Sequence, residues 1–194
     1  MITSLDELPV RSRSWLGALE TEDPVRYADL ADRRIVETAR CPFRVSDLDG
    51  PVTQHGSVLR VLDRLDLTGR EIGVFTCAPS TANSPEARLQ DYRDRQPDGG
   101  PGLLHLGTYG PDRLISTEDR IALLTVGDRV TTPVAPTFEA FVLAQANAYD
   151  AWLDRAPGEV EGYWAVADEC AGLEVFTGVD VGLVFGRQLL SPVR

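Results

Sequence analysis

Apolar positions along the 194-residue chain repeat with a helical period in some stretches and a strand period in others. The strongest helical pattern spans residues 137–154, where Phe138, Phe141, Val142, Tyr149 and Trp152 fall on one broad face. Pro136 and Thr137 mark its start, Glu139 occupies its first turn, and Gln145 is placed at the edge of the apolar face. Residues 21–40 open with a threonine cap, two acids and a proline, carry Val25, Ala28, Ile35 and Ala39 on one stripe, and stop at Cys41-Pro42. A shorter helix over residues 57–65 starts at Ser57 and aligns Val58, Val61, Leu62 and Leu65. Residues 85–95 and 159–171 complete the expected helices.

Strand-like runs occupy residues 71–76, 103–106, Leu114-Ile115 with its neighbours, and 121–126. The last run is followed by Gly127-Asp128 and then Arg129-Val130-Thr131-Thr132, the spacing of a two-residue hairpin. Val175, Thr177, Val179, Val181, Leu183 and Phe185 alternate along residues 174–185, which predicts one long strand or two short ones. Gly178, Gly182 and Gly186 fall on its other side. The polar stretch 80–101, ending near Pro97-Asp98-Gly99-Gly100-Pro101-Gly102, is the expected excursion from the core. The pattern predicts one α+β domain over residues 1–194, a mostly antiparallel sheet packed against helices. Residues 69–154 would form its core, 1–68 a helical N-terminal extension and 155–194 an acidic C-terminal extension.

Charge narrows the range of partners. The formal net charge is −11, and residues 136–194 hold nine acids against three arginines. Such a field repels phosphate backbones and anionic membranes and attracts a basic protein. All nineteen basic residues are arginine, which excludes a Schiff-base or P-loop lysine. The Met1 to Glu7 stretch lacks the basic and apolar regions of a signal peptide, and no run reaches the roughly 18 apolar residues of a membrane span. With Cys41, Cys77 and Cys170 odd in number and far apart, reduced thiols and a cytoplasmic location are expected.

Little in the chain assembles chemistry by spacing. His55 and His105 stand in no metal-ligand motif, so neither a metal nor another cofactor is expected. Cys77, His105 and an aspartate make a nucleophilic set only if the fold happens to bring them together. The stretch Ser46-Asp47-Leu48-Asp49-Gly50 resembles the signature of haloacid-dehalogenase-like phosphatases. That resemblance implies a magnesium-dependent enzyme with Asp47 as nucleophile, Asp49 handling the proton, Thr76 binding phosphate and Asp128 holding the metal. It requires parallel strands, whereas residues 42–46 are too polar for a buried parallel strand, and the place of the family's cationic lysine falls to Arg88, Arg93 or Arg95. A small-molecule site formed by the sheet and the glycine-rich loop is a further alternative.

A second resemblance covers residues 69–152. Leu103-Leu104-His105-Leu106-Gly107-Thr108, Asp112-Arg113-Leu114-Ile115, Ile121-Ala122-Leu123-Leu124 with Gly127-Asp128-Arg129-Val130, and Pro136-Thr137-Phe138-Glu139-Ala140-Phe141 resemble the SUKH superfamily. These small α+β proteins occur largely as bacterial immunity proteins. The likeness implies a non-catalytic protein, with no catalytic residues, that acts by covering a partner. The candidate contact residues are Tyr163 and Trp164 with Glu159, Glu161, Asp168 and Glu169 around them, because aromatics dominate interface energy and charged rims govern encounter.

Overall fold

A computed structural model describes residues 1–8, 58, 61, 67, 71–77, 104–117, 120–125, 130–156 and 158–190. The expected helices over 21–40 and 85–95, and the glycine-rich run at 97–102, lie outside the described residues. Of the helix expected over 57–65, Val58 and Val61 are described, and both are helical and fully buried.

The chain is α+β. Strands β1 (Glu71–Ile72), β2 (Phe75–Cys77), β3 (Leu104–Tyr109), β4 (Asp112–Ser116), β5 (Ile121–Leu124) and β6 (Thr131–Ala135) form one sheet in sequence order. Every neighbouring pair is antiparallel. Such a meander needs only short turns, and two of them follow from glycine. The strand expected over 71–76 is instead a hairpin, because Gly73 takes a φ of 60° and folds Phe75 back onto Ile72. Gly110 also has a φ of 60° and precedes Pro111, whose ring fixes a negative φ. That combination is a type II′ turn, and it joins Tyr109 to Asp112.

The β5–β6 pairing sets Leu124 opposite Thr131, and the Thr125 N–H donates to the Val130 carbonyl at 3.0 Å. This is the register a two-residue turn at Gly127-Asp128 demands, although residues 126–129 lie outside the described set. Two irregularities bend the ladder. Leu106 is an extra residue between His105 and Gly107, and Val134 is an extra residue opposite Ile121 and Ala122. The Val134 carbonyl accepts the Asp180 N–H at 2.7 Å, which fastens the C-terminal segment to the edge strand. Pro133 is tolerated in β6 because an edge strand has one side without a ladder.

Helix α1 (Phe138–Asp154) begins where expected: Thr137 is extended and its side chain accepts the Ala140 N–H at 3.1 Å. Every residue from Ala140 to Ala148 is buried. The alanine-rich helix is therefore enclosed on all sides rather than presenting one stripe. Phe75 meets Phe138 and Phe141 edge to face, and Tyr109 meets Phe141 in the same way, so α1 lies on the sheet face made by β2 and β3. Its other sides carry α2 (Glu161–Ala171), α3 (Val181–Leu189) and the first residues of the chain. The Ile2 N–H donates to Asn147 Oδ1, and Asn147 Nδ2 donates to the Ile2 carbonyl, both at 2.8 Å.

Residues 174–185 are not a strand. Glu174–Phe176 is a single 3₁₀ turn, Gly178 turns the chain with a φ of 82°, and Asp180 caps α3 by accepting the Leu183 N–H at 2.9 Å. The same letters satisfy both periods: Val181, Val184, Phe185 and Gln188 repeat at helical spacing, and all four are buried. The segments read as extensions supply core side chains, including Ile2, Leu5 and Leu8 at one end and Tyr163, Phe176, Val184 and Phe185 at the other.

Gln145 is fully buried, not at an edge. Its Oε1 accepts from the Tyr109 hydroxyl at 2.8 Å, and its Nε2 donates to the Ile72 carbonyl at 3.0 Å and to Gln188 Oε1 at 3.1 Å. Gln188 Oε1 in turn accepts the Val74 N–H at 3.2 Å. This clip binds α1, α3 and the β1–β2 turn, and it closes over Gly73. A Cβ there would sit 2.1 Å from Gln188 Oε1, in a backbone conformation that side chains rarely adopt. Gly73→Ala is expected to destabilise the fold by at least about 2 kcal/mol in urea unfolding. An unchanged midpoint would show that the clip does not close on this turn.

Candidate functional site

Helix α2 carries the acidic face. Its inner side is set by Tyr163, Ala167 and Cys170, spaced four and three residues apart and all buried. Tyr163 is only 2% exposed, and its hydroxyl donates to the Phe185 carbonyl at 2.7 Å. The ring also lies against Phe185, with centroids 5.3 Å apart. Burial raises the phenol well above its ordinary pKa, with Arg155 opposing weakly, so the group stays a neutral donor. Tyr163 is therefore an anchor joining α2 to α3 and is removed from the contact residues. Aromatic type alone could not separate it from its neighbour.

Trp164 is the outward member of the pair. It stands edge to face on Tyr163 at 5.7 Å and remains 37% exposed. The far end of its indole rests beside Gly186 of α3, where a Cβ would lie 4.0 Å from Cη2. Glu161 and Asp168 are exposed three residues before and four residues after it, on the same side of the helix. Glu169 is exposed on the other flank, and Glu159 is exposed in the connection ahead of α2. Among the described residues, none of these carboxylates is paired with a cation. Val160, one turn before Trp164, and Leu190, one turn beyond Gly186, are exposed apolar residues that sequence reading passed over. Leu190 was hidden by the strand assignment, since only a helix through residue 189 sets it one turn beyond Gly186.

The acidic face of α2 contrasts with the ion pair that Arg187 makes on α3. Arg187 pairs with Asp112, donates to the Tyr109 carbonyl at 2.9 Å and lies over the Tyr109 ring, so its charge is spent holding α3 to the β3–β4 turn. Burial raises the Tyr109 phenol far above its usual range despite that cation.

The alternative sites do not assemble among the described residues. Thr76 lies in β2, while β5, the described strand that precedes Asp128 in the chain, runs in the opposite direction with β3 and β4 between them. The parallel arrangement that a phosphatase site needs is thus not formed by these strands. Asp47, Asp49 and Asp128 themselves lie outside the described residues. Cys77 joins the core face, whereas His105 alternates with the core residues Leu104 and Leu106 and so belongs to the opposite face. No group of three or more His, Cys, Asp or Glu side chains gathers as metal ligands among the described residues. Nor, among them, is any helix long and apolar enough to cross a membrane. Comparison with known proteins adds no relative: no family model, curated protein or solved structure matches the chain.

Beneath the acidic face, the Cys170 thiol donates to Met1 Sδ at 3.1 Å. Its pKa is pushed up to about 12, first by burial and then by Glu169, with the N-terminal amine opposing. Above the ordinary thiol value of 9.0, the unfolded chain releases a proton that the folded chain keeps. This contribution is therefore fully present below about pH 9 and is lost as pH rises toward 12. Native Cys170, fully buried, is expected to react with iodoacetamide at pH 8 at least about tenfold more slowly than in the unfolded chain, as read by peptide mass spectrometry. Comparable rates would mean that this layer is open to solvent.

Proposed function

We propose that this protein is a non-catalytic acidic binding module, of immunity or regulatory type, that works in the cytoplasm by covering a basic surface of another protein. The SUKH resemblance over residues 69–152 gives the type, and α2 gives the surface. The observation that carries the reading is Trp164, a large aromatic held by the buried Tyr163 and left 37% exposed between Glu161 and Asp168. A rigid aromatic loses little entropy when a partner covers it, and this is the composition of a binding hot spot. The surrounding carboxylates have no cation to satisfy them within the described residues, so a basic partner meets charges that need not first be released. With −11 overall, the field also speeds encounter with such a partner.

The experiment begins with the protein encoded beside this one, since an immunity protein accompanies its toxin. Association should slow by about tenfold or more when salt rises from about 0.05 to 0.5 M. Charge reversal at Glu161 or Asp168 should slow it further than reversal at Glu169. Trp164→Ala should weaken the complex by about thirtyfold or more while leaving the on-rate nearly unchanged. A tight complex indifferent to salt and to these substitutions would overturn the reading.

A further inference from the structure

We infer that the binding surface continues from α2 onto α3 and receives a basic amphipathic helix of the partner protein. The inference rests on the acidic-module reading and adds the shape of what is bound. Three apolar side chains carry it: Val160 is 42%, Trp164 37% and Leu190 84% exposed. Val160 and Trp164 are one turn apart on the α2 side, and Leu190 is one turn beyond Gly186, on which the Trp164 indole rests. Together they make a strip running across two packed helices.

The floor of the strip is glycine backbone, exposed at Gly182 and half-buried beside the Trp164 indole at Gly186. Gly182 and Gly186 lie one turn apart on α3, leading toward Leu190. Neither has the positive φ that would require glycine. A Cβ at Gly182 would come no closer than 3.6 Å to Asp180 Oδ1, and one at Gly186 no closer than 4.0 Å to Trp164. Both positions thus have room for alanine, although a glycine inside a helix, as at Gly186, costs about 1 kcal/mol relative to alanine. Packing inside the chain does not account for that cost, whereas the close approach of another helix does.

Charge selects the occupant. Glu161 and Asp168 border the strip on α2 without an ion-pair partner among the described residues, and on α3 Arg187 is tied to Asp112. A second copy of this chain would bring the same acids to the same margin and be repelled. A helix with one apolar face and a lysine or arginine edge fits both the floor and the margin.

The test uses the whole protein and two synthetic peptides of equal length and lysine count. One is a leucine–lysine sequence with amphipathic helical spacing, and the other spaces its lysines with glycine and serine. At about 0.15 M salt the amphipathic peptide should bind at least about tenfold more tightly. Leu190→Ser and Gly182→Gln should each remove about fivefold or more of its affinity without lowering the melting temperature, since both residues are exposed and a Cβ at Gly182 meets Asp180 only at ordinary van der Waals distance. Equal binding of the two peptides, or no effect of either substitution in a folded protein, would overturn the inference. Asp168→Arg separates the two levels of the proposal. If it weakens both peptides, the acidic-face reading stands whatever happens to the strip, and if it weakens neither, that reading falls too.

Discussion

A fully buried amide must find a partner for each of its polar atoms, and the Gln145 side chain meets that requirement only when three separate parts of the chain come to it. Tyr109 arrives from the sheet, the Ile72 carbonyl from the β1–β2 turn, and Gln188 from α3. Leaving one of these groups unpaired would cost about 1–3 kcal/mol, a large fraction of the stability of a domain this size. The hydrophobic contacts around α1 supply the drive to collapse but do not choose a register. The amide does, because a small slide of α3 along α1 would separate Gln188 from both Gln145 and Val74.

That constraint reaches the surface. With α3 fixed, Phe185 presents its carbonyl to Tyr163, and the bond between them sets the rotation of α2 about its axis. Tyr163 then points inward, Trp164 points outward, and Glu161 and Asp168 come out beside it. The Arg187–Asp112 pair holds the far side of α3 to the β3–β4 turn. An acidic, partly apolar surface is therefore mounted on rigid helices, which suits recognition better than a loop would.

The meander also limits chemistry. Successive strands alternate in direction, so their carboxyl ends alternate between the two ends of the strands rather than gathering at one. Enzymes built on parallel sheets collect reactive groups at the shared carboxyl ends of the strands for the opposite reason. The order of the Thr76 and Asp128 segments along the chain resembled such an enzyme, but order along a chain does not specify strand direction.

Local signals settled much of the fold from the amino-acid sequence. The Thr137 cap and the run of good helix formers after it act within a few residues of themselves, so they were legible without knowledge of the rest. The acidity of the C-terminal third was equally plain, because charge is additive. Only tertiary structure decided the remainder. Residues 174–185 fit a strand and a helix equally well by pattern, and the core that accepts Val181, Val184, Phe185 and Gln188 made the choice. Gln145 looked like a boundary residue because its partners lie 36, 43 and 73 positions away along the chain. Tyr163 and Trp164 are adjacent aromatics with the same propensities, and what separates them is the carbonyl of Phe185, 22 positions further on. Which side chain is core and which is surface depends on contacts between distant segments, and those contacts exist only once the chain has folded.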